Sequence, residues 1–419
     1  MKTTRRKFVR VAGAGALGAA LSPALARGQA PAVTRPDKPF DVAVIGAGVF
    51  GSWTAYQLQR AGRRVVLVDA YGPGNARSSS GGETRVIRMG YGDQEIYTRW
   101  SRRSLELWQD LLRRTGRIGQ FQRAGVLWMA REQDPLTTST LETLKRLNVP
   151  HERLDRSQIV ARWPQIDPGP ITWAIHEPDS GFLVAFHTVQ AIADQAKAAG
   201  TVYLQESILP PAGDGHTLAR VKTLSGRTIA ANTFVMACGP WLPKLFPDVL
   251  GERIFPTRQE VLYFGVPPGD TRFESTAMPV WVDFAEEIYG VPEFRGRGFK
   301  VALDRHGPPV DPDSLERVPD PKVIAHVREF VGRRFPAMKD APLVEAEVCQ
   351  YENTSNGDFL IDRHPTWSNV WLVGGGSGHG FKHGPAVGEY VAARIADGKP
   401  VDRKFSLETK QKVQRRTVY

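Results

Sequence analysis

Val42-Ala-Val-Ile-Gly46-Ala-Gly48-Val-Phe-Gly51 holds the parts of a dinucleotide-binding unit in working order. The apolar run Val42 to Ile45 predicts a buried strand, and the stretch 52–61 predicts the helix that follows it. Gly46 permits a tight turn, Gly48 lets a pyrophosphate approach the backbone at the helix N-terminus, and Gly51 allows helix and strand to pack closely. Unpaired N–H groups at that terminus favour an anion. A second strand, 64–68, ends at Asp69, about 20 residues past the turn, where a carboxylate accepts hydrogen bonds from ribose hydroxyls. A lone Gly-x-Gly-x-x-Gly is weak evidence; the strand before it, the helix after it and the spaced acid make it specific.

A second glycine-rich segment, Trp371-Leu-Val-Gly-Gly-Gly376-Ser-Gly378-His379-Gly380-Phe-Lys382, lies near the other end of the chain. Together the two segments point to one cofactor site built from both ends.

With 419 residues, 41% hydrophobic and 24% charged, the chain suits a globular enzyme with two domains rather than a disordered or fibrous protein. The formal charge of +11 suggests nucleic acid until the N-terminus is set aside: removing Lys2, Arg5, Arg6, Lys7 and Arg10 leaves +6. No interleaved basic and aromatic stripe follows, so a solvated basic surface is expected and no nucleic-acid partner. Arg5-Arg6-Lys7-Phe8, a weakly apolar stretch and Ala24-Leu-Ala26 predict a signal peptide over 1–26. The arginine pair fits twin-arginine export of a folded, cofactor-loaded protein to the periplasm or beyond; a general secretory signal with two adjacent arginines is the other reading. No later segment approaches the ~18 apolar residues of a spanning helix, so no stable membrane insertion is expected after signal removal. Cys238 and Cys349 are the two cysteines, and no Cys/His cluster has metal spacing.

After Asp69 comes the small-residue loop Ala76-Arg-Ser-Ser79-Ser80-Gly-Gly-Glu-Thr, leading into Arg85-Val-Ile-Arg88. The stretch 95–114 predicts a long amphipathic helix with Trp100, Leu105, Trp108, Leu111 and Leu112 on its apolar side. A second set of dinucleotide-fold elements is expected around 182–200 and at Thr233-Phe-Val-Met-Ala-Cys238. Alternating runs between 254 and 301 favour an antiparallel sheet. A helix over 323–335, a strand over 344–349 and a strand-turn-helix over 370–396 follow. The expected fold is α/β (α+β): a discontinuous Rossmann-like domain over 36–95, 178–253 and 345–407, interleaved with an antiparallel-sheet substrate domain over 96–177 and 254–344.

From about residue 40 to 407 the chain resembles flavin-dependent amine oxidases of the D-amino-acid-oxidase superfamily, in their sarcosine-oxidase-like branch. The marks are ordered: Gly-Glu-Thr-Arg85-Val-Ile-Arg88, Tyr289-Gly-Val-Pro, Gly298-Phe-Lys300, Asp311-Pro-Asp, Val-Cys349-Gln-Tyr351, Phe359-Leu-Ile-Asp362-x-His-Pro and Gly376-Ser-Gly-His-Gly-Phe-Lys382. The resemblance implies FAD, held by Gly46, Gly48, Val49, Gly51, Asp69, Ser79, Ser80, Arg85, Gly376, Gly378, His379, Gly380 and Lys382, with Cys349 in thioether linkage to the flavin. Such a linkage needs a thiolate beside the electrophilic ring. Cys238 is read as structural.

The resemblance further implies a small amino-acid substrate with a secondary amine, its carboxylate between Arg88 and Lys382, a geometry suited to guanidinium and ammonium. Arg85 and Lys300 are implied beside the flavin ring, with Lys300 the candidate for oxygen activation. Tyr289, Tyr351 and His379 are implied to line the site. The implied chemistry moves a hydride equivalent from the carbon beside nitrogen to the flavin, hydrolyses the imine, and reduces O2 to hydrogen peroxide, in a monomer. One departure stands out: four residues after Lys300, where relatives carry histidine, this chain has Asp304, with His306 two further on. An acid there favours a charged amine or a second cationic group, and a short loop shift placing His306 inward is equally open. Two other readings remain at this point: a flavin dehydrogenase of a small amino or 2-hydroxy acid passing electrons elsewhere, and a flavin-binding subunit without turnover.

Overall fold

The computed structural model describes residues 38–414; the expected signal peptide lies outside them. Phe40–Ile45 forms the centre of a seven-stranded sheet, pairing in parallel with Val65–Asp69 on one side and Thr228–Met236 on the other. Outward from these, Val202–Gln205 joins the first flank in parallel and Val370–Gly374 the second. Leu360–Arg363 closes that edge antiparallel, and Arg220–Lys222 pairs with Thr228–Met236. The central strands are largely apolar and buried, with Val42 to Ile45, Val65 to Val68 and Phe234 to Met236 all in the core, as a sheet covered by helices requires.

The first helix begins at Val49, three residues earlier than the glycine pattern suggests, so its N-terminus opens directly onto the Gly46–Gly48 turn. It packs on the helices Gly384–Asp397 and Ala185–Ala198. Glycines make the first of these approaches possible: a Cβ at Gly388 would lie 2.7 Å from the backbone carbon of Trp53. Glu95–Arg114 forms the expected helix, burying Leu105, Trp108, Leu111 and Leu112, with Trp100 half-buried against the same core. It packs on Gly384–Asp397 and Ala185–Ala198, with the helices of the dinucleotide fold, although its sequence falls in the stretch expected for the substrate domain.

The second sheet has eight strands in the order Leu343–Thr354, Ile254–Phe264, Phe299–Leu303, Ile288–Val291, Val280–Asp283, Val126–Ala130, Trp173–Glu177 and Glu152–Asp155. All neighbours are antiparallel except Val280–Asp283 with Val126–Ala130. The strand carrying Cys349 pairs along its length with Ile254–Phe264, so it is a member of this sheet. Gly181–Val184 is not a strand of the dinucleotide sheet; it pairs with Thr84–Ile87 and Phe121–Gln122 in a small third sheet. That small sheet carries Arg85. Among the described residues no helix is long and apolar enough to cross a membrane.

Candidate active site

The carboxyl ends of the seven-stranded sheet border a cavity of about 450 Å³. Gly46 adopts φ +101°, and a Cβ there would lie 2.3 Å from the carbonyl oxygen of Ala237, so the turn admits only glycine. Gly51 meets the turn itself, its Cβ position 1.8 Å from the carbonyl oxygen of Gly46, and serves packing rather than the cavity wall. Asp69 accepts from the backbone N–H of Ala47 at 2.7 Å and from those of Tyr71 and Gly72 at 2.8 Å. Three such donors fix the carboxylate at the cavity's edge. Ser80 Oγ accepts from Val49 N–H at 3.2 Å, tying the small-residue loop to the helix N-terminus.

Gly48, Val49, Asp69, Ser79, Ser80, Arg85, Gly376, Gly378 and Gly380 all line this cavity. Ser79 Oγ is buried there without a hydrogen-bond partner, and so is Glu352 Oε2. An anion-ready helix end, a fixed acid and unpartnered polar atoms in one elongated cavity fit a dinucleotide such as FAD.

Arg85 stands at the far end. Its guanidinium donates to the carbonyl oxygens of Thr84 and Ser79, each at 2.8 Å, and lies 3.5 Å from Cys349 Sγ. Neither cysteine forms a disulfide. Cys238 Sγ approaches the carbonyl of Ile45 at 3.3 Å, and burial holds its thiol pKa well above the usual range, as suits a structural residue. Lys300 lines neither this cavity nor the next; it is buried behind Arg85 and donates to Thr84 at 2.8 Å through the carbonyl and 3.2 Å through the hydroxyl. Burial, with Arg85 adding repulsion, pushes its pKa down to about 7.

A second, tighter cavity of about 60 Å³ shares Arg85, Ser377, Gly378 and Phe381 with the first. Arg88, Lys382, Tyr289, His379, Asp304 and His306 line it, so the acid and the histidine both face the pocket. Arg88 is held over the ring of Tyr91 at 4.4 Å and of Trp128 at 4.9 Å, and donates to the carbonyl of Gly90. The backbone beneath it is anchored by Glu177, which accepts from Met89 N–H at 2.7 Å and Gly90 N–H at 2.9 Å. Lys382 Nζ donates to Tyr91 Oη at 2.9 Å and to the carbonyl of His379 at 3.0 Å. Burial first, and Arg88 second, hold its pKa well below that of a free lysine.

Tyr351 donates to Asp304 at 3.4 Å, and its ring lies against Gly378, where a Cβ would come within 2.7 Å. Burial raises Tyr289 to about 12, so both tyrosines stay protonated. His379 Nε2 meets the carbonyl of Gly357 at 3.0 Å while its Nδ1 meets Tyr91 Oη at 3.3 Å.

Three residues of the site escape sequence reading. Tyr91 joins Lys382, His379 and His383, the last at 2.8 Å, and only its position three residues after Arg88 hinted at it. Phe284 forms part of the pocket wall from a turn with no motif. Glu352 directly follows Tyr351 and borders the larger cavity beside it.

The family model of FAD-dependent oxidoreductases (DAO) matches residues 41–394. The monomeric sarcosine oxidase of Bacillus sp. (strain NS-129) is 32% identical over 366 residues, covering 86% of this chain and 94% of that enzyme. The N-methyl-L-tryptophan oxidase of Escherichia coli O157:H7 is 28% identical over 371 residues, covering 87% and 96%. In fold the chain is similar to L-proline dehydrogenase from P. horikoshii, with a TM-score of 0.76 at 22% identity, over 88% of this chain and 97% of that one. A family match spanning most of the chain, with the cavity and the glycine turns in place, shows that the protein belongs to the DAO family of FAD-dependent oxidoreductases and is an enzyme of amines or amino acids.

Proposed function

We propose that this protein is an exported flavin oxidase of amino acids that carry a secondary amine, oxidising the C–N bond to an imine that hydrolyses, with O2 reduced to hydrogen peroxide. The observation that carries the reading is the convergence of Arg88 and Lys382 on a narrow pocket that shares its wall with the cofactor cavity. The names of the relatives, sarcosine oxidase and N-methyl-L-tryptophan oxidase, support the substrate class.

FAD, when bound, supplies the two-electron acceptor for the carbon beside nitrogen. The chain's own residues do the rest by position and charge. A substrate carboxylate entering between Arg88 and Lys382 offsets their mutual repulsion and favours the charged lysine, so binding energy is realised only when an anion is present. Tyr91 fixes the Lys382 nitrogen at 2.9 Å while this happens. With the carboxylate held there, the Tyr289 side of the pocket is left for the amine. The cationic surroundings favour the neutral amine, the form that gives up electrons, and Asp304 moderates that effect.

Cys349, which lines neither cavity but holds its sulfur 3.5 Å from the Arg85 guanidinium that lines both, is assigned the covalent flavin linkage. The arginine pair at the N-terminus supports twin-arginine export to the periplasm, and a monomer is the expected state. One observation favours a dehydrogenase instead: Lys300, the candidate for oxygen activation, lines neither cavity.

The test is to mix the purified protein anaerobically with sarcosine, bulkier N-alkyl amino acids, cyclic amino acids, primary amino acids and 2-hydroxy acids, following flavin absorbance near ~450 nm. Bleaching by the secondary amines, followed by recovery and peroxide on admitting air, is the expected result. Bleaching by hydroxy acids alone overturns the amine assignment, and bleaching without recovery in air points to the dehydrogenase.

A further inference from the structure

Glu352 lies on the strand Leu343–Thr354, and its carboxyl is packed among glycines. Cβ atoms added at Gly374, Gly376 and Gly239 would come to 3.0, 3.4 and 3.8 Å from its oxygens. Oε1 lies 3.4 Å from the backbone N–H of Gly376, and Oε2 is buried with no partner. The residue is 9% exposed, and what exposure it has is at the wall of the cofactor cavity. Burial pushes its pKa up to about 7, opposed by the N–H groups of Gly376 and Gly375. A buried carboxyl with one unsatisfied oxygen is an expensive feature unless a ligand completes it.

The sheet order says which part of the ligand that is. Across the carboxyl ends run Asp69, the Gly46–Gly48 turn, the Cys238–Gly239 turn and the Gly374–Gly376 segment, in the spatial order of their strands. With the pyrophosphate on the helix N-terminus at Gly48 and the adenosine ribose toward Asp69, the chain linking pyrophosphate to the flavin ring passes Gly239 and Gly376, where Glu352 stands. A phosphate oxygen is an anionic acceptor and suits a carboxylate poorly. A polyol hydroxyl is a donor and suits it well.

We propose that Glu352 is a cofactor-binding residue whose carboxyl takes a hydrogen bond from the ribityl chain of FAD, forming a second acidic contact across the pyrophosphate site from Asp69. It belongs to neither glycine-rich segment and reaches the cofactor from the substrate-side sheet, so it also ties that sheet to cofactor capture.

The experiment uses the full chain carrying Cys349→Ser, in which no thioether can form, stripped of flavin and titrated separately with FAD and with ADP. ADP occupies the Asp69 and pyrophosphate side and lacks the ribityl chain. Glu352→Leu is expected to weaken FAD by about 10- to 100-fold, the loss of a hydrogen bond to a charged group, while leaving ADP affinity unchanged. Glu352→Gln, which keeps an acceptor, is expected to stay within about threefold for both ligands. Equal loss of FAD and ADP binding in the leucine variant would assign Glu352 to the local fold and overturn the proposal. Unchanged FAD binding in that variant, or a glutamine variant as weak as the leucine one, would overturn it as well.

Discussion

Lys300 Nζ donates to the carbonyl oxygen of Thr84 at 2.8 Å, which ties a buried cation to the residue before Arg85. Its pKa near about 7 means that its charge is present below that pH and lost above it. Charge stabilisation at a developing oxygen anion is worth about 10²- to 10³-fold in rate. Lys300→Met is therefore expected to slow reoxidation of the reduced enzyme by that order while leaving anaerobic reduction by substrate much less affected. In the unaltered enzyme, reoxidation should slow as pH rises through about 7. Stopped-flow measurement of both half-reactions decides this, and equal slowing of both would remove Lys300 from the oxygen step.

Lys382 and Arg88 divide one task, and their substitution is expected to appear in binding. Lys382→Met should raise KM for a carboxylate-bearing substrate by about 10- to 100-fold, the value of a charge-assisted hydrogen bond. Tyr91→Phe removes the hydroxyl that holds the lysine nitrogen and should raise KM about fivefold, a fraction of the same effect. Inhibition by an amine without a carboxylate separates a positioning role from general damage, because only binding of the anionic ligand should change.

Cys349 gives a prediction read without turnover. Denatured with acid, the protein is expected to precipitate with its yellow colour retained, whereas Cys349→Ser should release flavin to the supernatant. Flavin released by the unaltered protein would show that no linkage forms.

How much of this was open to sequence reading follows from what kind of contact each residue makes. The turn at Gly46, Gly48 and Gly51 and the acid at Asp69 are local, so spacing alone located them within one strand-turn-helix unit. The ordered motifs around Arg85, Arg88 and Lys382 reached the second cavity through the resemblance, while Cys349, from the same set, lines neither cavity. Sheet membership was harder: Leu343–Thr354 reads the same as a strand of either sheet, and only its pairing with Ile254–Phe264, about 90 residues earlier in register, assigns it. Tyr91 and Glu352 were silent because each acts through partners hundreds of residues away or through glycine backbone, and neither leaves a pattern along the chain.

Glu177 is the buried anchor beneath Arg88. Its carboxylate accepts from Met89 N–H, Gly90 N–H, Trp128 Nε1 at 2.7 Å and Ser180 Oγ at 2.6 Å. Truncation to alanine leaves four donors without an acceptor, and each such group costs about 1–3 kcal/mol. Glu177→Ala is expected to lower stability by at least about 3 kcal/mol, read as a shift in denaturant midpoint. A surviving fraction of folded protein should also bind the carboxylate ligand weakly, since the backbone carrying Arg88 has lost its support.

Asp304 sits in the same pocket as Arg88 and Lys382 and bonds to Tyr351 at 3.4 Å, so the pocket carries opposite charges. A substrate with a carboxylate alone uses the cations and gains nothing from the acid. One that also bears a cationic group satisfies both, and an opposite-charge pair away from bulk water is worth about one to two tenfold steps in affinity. Asp304→Asn should therefore lower kcat/KM for amino acids with a second positive group by about tenfold or more, while sparing or improving neutral N-alkyl amino acids. His306, which shares the wall, provides the control: His306→Asn leaves the acid in place and should preserve the preference. If Asp304→Asn reduces every substrate by the same factor, the carboxylate serves to hold Tyr351 and the neighbouring cations in place, and selectivity for charge lies elsewhere in the wall.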